Sequence, residues 1–157
     1  QDPVALDWHN GRRTPDADPR VRGALDGLTL ATSAPAIYKA LVEATVFGSR
    51  AINERMLEEG VPIDNILAIG GIARKSPFVM QTMADVIGVP IRVAYSDQAC
   101  ALGAAMFAAV AAGLYGSVQE AQQAMCPGFS DEYLPDMERH AIYDRLYDRY
   151  LKLGGRR

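Results

Sequence analysis

The stretch ILAIGGIARKSP, residues 66–77, decides the fold. Ile63 to Ile69 reads as a buried strand, because the segment is too short for a helix and is stopped abruptly by Gly70 and Gly71. Ser76 and Pro77 have the chemistry of an N-cap and a first helical position. They announce a helix whose inner face is Val79, Met80, Met83, Ala84 and Ile87. Gly88 and Pro90 close that helix, and Ile91 to Ala94 reads as the next strand. A strand, a helix and a second strand in this order predict a parallel pair joined by a right-handed crossover, hence an α/β layer fold.

Working outward, Val4 to Trp8 reads as a short strand, and Trp8 is expected in the core or at an interface. Pro15, Pro19, Gly23 and Gly27 make the next segment a loop. Ser33 and Pro35 start a helix that runs to about Glu59 and carries Ala40, Leu41, Ala44 and Ile52 at helical spacing. On its opposite face Lys39 and Glu43 are four residues apart, the spacing of a solvated ion pair. Downstream, Ser96 or Asp97 is placed to cap an alanine-rich helix that ends at Gly113 and Gly116. Ser117 to Met125 reads as a short helix, and an irregular segment holds Cys126, Pro127, Gly128 and Pro135. A last helix over 136–153 carries the aromatic stripe Tyr143, Tyr147 and Tyr150.

Composition narrows the function classes. The 157 residues are 49% apolar and 22% charged with a net charge of −3, which suits a folded globular chain and lacks the basic excess of a nucleic-acid binder. Gln98 to Gln119 is uncharged and long enough to span a membrane, but its alanines at 99, 101, 104, 105, 108, 109, 111 and 112 point to a buried soluble helix instead. Cys100 and Cys126 lack metal or redox spacing and are expected to be plain thiols in a reducing, cytoplasmic setting. The chain opens on Gln1, which suggests that it is cut from something longer.

The chemistry concentrates at residues 66–77. Glycines at the carboxyl end of a strand let a ligand approach the backbone, and a following helix N-terminus offers N–H groups and a positive dipole to phosphate. Arg74 and Lys75 add positive charge. The spacing matches neither a dinucleotide-binding GxGxxG nor a GxxxxGK[ST] phosphate loop. Arg12 and Arg13 suit either anion steering or loop anchoring, whereas His9 and His140 have no partners that suggest a triad or a metal.

The segments GGIARKSPFVMQTMADVIGVPI, residues 70–91, and SDQACALGAAMFAAVAAG, residues 96–113, resemble the C-terminal domain of the FGGY carbohydrate kinases. The segments LDWHNGRRTP, RGALDGL and LVEATVFGSRAI precede them in the order that family shows. The resemblance implies a ribonuclease-H-like fold of the actin, Hsp70 and hexokinase type, with residues 1–157 forming the later part of the second, nucleotide-binding domain. It further implies transfer of the γ-phosphate of ATP, with Mg²⁺, to a sugar hydroxyl. GGIARKS and DW-x-NGRRTP are most similar to members that convert L-ribulose to L-ribulose 5-phosphate; members acting on xylulose or glycerol, and a noncatalytic actin-like regulatory module, are the alternatives. By the same resemblance Gly70 and Gly71 approach the adenosine and α-phosphate, Ala73 and Lys75 lie near the adenine or ribose, and Arg74 and Ser76 are accessory. The catalytic base, an aspartate, and most sugar contacts are implied to lie outside this chain. No nucleic-acid or membrane partner is expected, and apolar faces uncovered in an isolated piece are expected to favour self-association.

Overall fold

The computed structural model describes residues 2–155. The chain opens with an antiparallel pair, β1 (Val4–Leu6) and β2 (Ala24–Asp26), with Val4 opposite Asp26. β2 lies inside the stretch read as a loop; flanking Gly23 and Gly27 hold it to three residues. α1 (Ala34–Glu58) starts as expected, with the Ser33 hydroxyl accepting the Ala36 N–H at 3.4 Å and Pro35 in the first turn. β3 (Ile66–Ala68), the single-turn α2 (Gly71–Lys75), α3 (Pro77–Ile87) and β4 (Ile91–Ala94) then follow.

β3 and β4 are parallel, with Ile66 opposite Ile91 and Ala68 opposite Val93, which bears out the strand–helix–strand reading. The segment expected to be irregular instead contains β5 (Phe129–Tyr133), antiparallel to β4 on the side away from β3. The register places Arg92 opposite Glu132, and their side chains pair at 2.8 Å across the strands. α4 (Ala99–Ala111), α5 (Val118–Met125) and α6 (Met137–Gly154) complete the chain, α6 capped by Asp136, whose carboxylate accepts the Glu138 and Arg139 N–H groups.

α1, α3 and α6 pack on one another. The β1–β2 pair lies against α1 and α6, and the three-stranded sheet lies against α3. The largest core cluster joins Leu6 and Trp8 to Val46 and Phe47 of α1, Val86 of α3 and Tyr147, Tyr150 and Leu153 of α6. Phe47 is 1% exposed, with ring centroids 5.6 Å from Tyr147 and 5.4 Å from Tyr150. Removing such a side chain from water stabilises by about 1.5–3 kcal/mol, and each aromatic pair adds about 0.5–1.5 kcal/mol. The apolar stripe read on α6 is thus the seam that closes the fold.

Four expectations are corrected. The strand expected to be buried over 63–69 is β3, three residues long, and Leu67 is 52% exposed because that face of the strand borders an open hollow instead of a packed element. α4 forms where predicted, but among its residues only Met106 is buried, and Phe107 is 64% exposed. Its alanines raise helix propensity without recording what covers the helix. Glu43 is no solvated partner of Lys39: it is 3% exposed, and its Oε1, 3.5 Å from the Lys39 ammonium, makes no hydrogen bond among the described residues. Burial pushes this carboxyl above its ordinary range, because desolvation outweighs the pull of Lys39. Asp97 caps no helix either. Gln98 occupies that position, without a side-chain cap, and the Ser96 hydroxyl accepts the Gln98 N–H at 3.2 Å.

Candidate functional site

The paired glycines stand where β3 leaves the sheet. Gly70 adopts φ +92° and ψ −178°, a conformation essentially reserved for glycine, and it turns the chain directly into α2. A Cβ built on Gly70 or on Gly71 meets no atom within 4 Å, so both residues present open backbone at the surface. They sit at the carboxyl end of a parallel strand, where ligands of open α/β sheets gather.

The neighbours divide sharply. The Arg74 guanidinium donates to the Tyr95 carbonyl at 2.9 Å, pairs with Asp97 and lies 5.7 Å from the Tyr95 ring centroid. Arg74 therefore ties the loop after β3 to the loop after β4 instead of standing free beside the glycines. Ser76 is occupied too: its hydroxyl accepts the Val79 N–H at 3.4 Å, so the first turn of α3 is already capped from within the chain. Ala73 is 5% exposed and packs with Met80 and Val93, which leaves only its backbone available to a ligand. Lys75 is exposed and has no ion pair among the described residues. The open groups of the predicted set are thus Gly70, Gly71 and Lys75.

Asp97 and Tyr95 belong to this site as the anchors of Arg74, and no local pattern announces them. Arg74 and Asp97 are 23 residues apart, brought together only because β3 and β4 are adjacent and parallel. On the other face of β3, Leu67 and Ile69 line an apolar hollow of about 200 Å³ completed by Phe107 and Met106 of α4. Arg12 anchors its own loop, donating through Nε to the Asp16 carbonyl at 2.5 Å. His140 donates through Nδ1 to the Asp85 carbonyl at 2.9 Å, a structural contact between α6 and α3. Both cysteines are free and exposed. Among the described residues no group of three or more His, Cys, Asp or Glu is placed to hold a metal, and no helix is long and apolar enough to cross a membrane.

Residues 1–112 match the model of the FGGY family of carbohydrate kinases, C-terminal domain. The chain is 50% identical over 152 residues to a ribulokinase of Vibrio parahaemolyticus, covering 97% of this chain and 27% of that protein. It is 46% identical over 154 residues to a ribulokinase of Bacillus licheniformis, covering 96% of this chain and 28% of the relative. Among solved structures, a ligand-bound xylulose kinase from Lactobacillus acidophilus superposes with a TM-score of 0.86 at 28% identity, over 96% of this chain and 30% of that one. The chain thus spans little more than a quarter of the curated relatives it matches, and its mixed α/β fold is of the actin and hexokinase ATPase type that sugar kinases of this kind share.

Proposed function

The chain belongs to the FGGY family of carbohydrate kinases, and from that premise we propose that it forms the nucleotide-binding wall of an ATP-dependent kinase acting on L-ribulose. The observation that carries the nucleotide assignment is the turn at Gly70 and Gly71, with open backbone at the carboxyl end of β3. In this reading the adenosine and α-phosphate lie along that turn, and the backbone of Ala73 and the Lys75 ammonium face the adenine or ribose. Lys75, free of an ion pair among the described residues, holds a charge that a ribose hydroxyl or a phosphate oxygen satisfies. Arg74 acts at one remove, holding the β3 and β4 loops in register through Tyr95 and Asp97.

Phosphoryl transfer asks its protein mainly for positioning and for charge stabilisation of the transferring group. This chain contributes the positioning of the nucleotide. Mg²⁺ is assigned to the phosphates of ATP, where it neutralises the charge that develops during transfer. The proton of the attacking sugar hydroxyl goes to a carboxylate base; Asp97, the carboxylate at this turn, is engaged by Arg74, so the base is assigned to another part of the complete protein. The choice of L-ribulose rests on identity of 50% and 46% to two ribulokinases, against 28% to the xylulose kinase.

The test is sugar-dependent ADP release by the complete protein that carries this chain. L-ribulose is expected to give the highest kcat/KM in a panel with D-xylulose and glycerol, and the 157-residue chain alone is expected to give no sugar-dependent turnover. Preference for xylulose or glycerol, or turnover by the chain alone, contradicts the proposal.

A further inference from the structure

A cavity of about 390 Å³ opens between the loop that leaves β1, the middle of α1 and the end of α6. It shares no residue with the Gly70–Gly71 turn. Gly48 makes room for it: in mid-helix a glycine costs about 1 kcal/mol relative to alanine. A Cβ placed there would lie 4.0 Å from both the Asp7 Oδ2 and the Tyr150 hydroxyl, so two polar atoms converge on the space the missing side chain leaves. Thr45, three residues before Gly48, and Ser49, the residue after it, also line the cavity. Their hydroxyls donate to the carbonyls of Leu41 at 3.2 Å and Thr45 at 3.4 Å, which leaves their oxygens as acceptors.

The lining carries charges of both signs. Asp7 is half-buried, and no side chain among the described residues donates a hydrogen bond to its carboxylate; burial raises its pKa. Arg12 and Arg13 line the same cavity. Arg12 is fixed by the Asp16 carbonyl and by its position 5.2 Å from the Trp8 ring centroid, which leaves its terminal nitrogens free of acceptors among the described residues. Arg13 has no ion pair among the described residues, and the carboxylate of Asp16 is neutralised by Arg55 at 3.2 Å. A ligand that satisfies both the acceptors and the guanidinium groups carries hydroxyl donors and an anion.

We propose that this cavity binds a phosphorylated sugar or polyol, its hydroxyls donating to Asp7, Thr45 and Ser49 and its phosphate held by Arg12 and Arg13. A neutral sugar leaves the two guanidinium groups unused, and inorganic phosphate makes nothing of the hydroxyl acceptors and is repelled by Asp7. Guanidinium pairs to phosphate are short, directional and among the strongest polar contacts available.

Calorimetric titration of the 157-residue chain without nucleotide tests this, using D-ribose 5-phosphate, D-ribose and inorganic phosphate as probes. Ribose 5-phosphate is expected to bind one per chain, at least about tenfold more tightly than either other probe, as the loss of one charged hydrogen bond implies. Arg13→Gln, at an exposed position, and Asp7→Asn are each expected to weaken it by about tenfold or more. Gly48→Leu is expected to abolish it, and Gly71→Ala to leave it unchanged. Absence of saturable binding, equal affinity for inorganic phosphate, or wild-type affinity in Arg13→Gln overturns the proposal. Loss of binding in Gly71→Ala also overturns it, by moving the ligand to the nucleotide turn, whereas failure of ADP to bind that turn leaves this site standing.

Discussion

Replacing Gly70 and Gly71 singly by alanine separates what the turn does for the fold from what it does for a nucleotide. Gly70 holds φ +92° and ψ −178°, and a side chain forced into that region costs about 1–3 kcal/mol. No atom lies within 4 Å of the added Cβ, so the whole penalty is backbone strain with no clash to relax. Gly71 is the first residue of α2, its φ is not positive, and its Cβ also meets nothing. Alanine there gains helix propensity and a less entropic unfolded chain, together up to about 1 kcal/mol. In a chain of this size 1 kcal/mol moves the thermal midpoint by about 2–4 °C. Gly70→Ala should therefore lower Tm by about 2–12 °C, and Gly71→Ala should leave it unchanged or raise it slightly. The Gly71 methyl nevertheless fills the space through which a nucleotide approaches the backbone, and it should weaken ADP by about tenfold, or 1.4 kcal/mol. Thermal unfolding without ligand reads the first effect, and calorimetric titration with Mg·ADP reads the second. A Gly70→Ala variant as stable as wild type refutes the strain argument. Wild-type ADP affinity in Gly71→Ala refutes the placement of the nucleotide.

Other outcomes follow from the packing. Phe47→Ala empties the centre of the aromatic seam and should cost about 3–5 kcal/mol in denaturant unfolding. Asp85, 2% exposed, accepts from Gln81 Nε2 at 2.7 Å and from the Asp136 N–H at 2.9 Å; Asp85→Ala should cost less, about 1–3 kcal/mol, by stranding those donors where α3 meets α6. Glu43 is held above its ordinary 4.5 by burial, so the folded state binds its proton more tightly than the unfolded state does. Its contribution is then fully favourable below that value and is lost as pH rises through the folded-state pKa. The stability of wild type relative to Glu43→Gln should accordingly fall as pH rises above the ordinary carboxyl value, and a difference that is flat or rises with pH contradicts the assignment.

Much of this fold is legible locally. The starts of α1 and α3 were predictable from Ser33 with Pro35 and Ser76 with Pro77, because capping needs only the residues adjacent to it. β4 was readable over its whole length, with Ile91 and Val93 fully buried on either side of the exposed Arg92. β5 was not, because FSDEY is an exposed edge strand whose existence depends on pairing with β4 and on the Arg92–Glu132 bridge. The burial of Glu43 escaped the sequence reading because a four-residue spacing from Lys39 looks the same whether α1 faces solvent or α6. At the site, the glycines stood out as residue types, but the engagement of Arg74 with Asp97 and Tyr95 depends on strand adjacency that no local spacing encodes. Ala73 likewise belongs to the motif as a string and to the core as a side chain.

The most direct test of the central claim is an amide-resolved NMR titration of the 157-residue chain with Mg·ADP up to millimolar concentration. The resonances of Gly70, Gly71 and Ala73 should shift together and saturate, with smaller shifts at Tyr95 and Asp97 transmitted through Arg74. Shifts confined to other residues, or none at this turn, contradict the account.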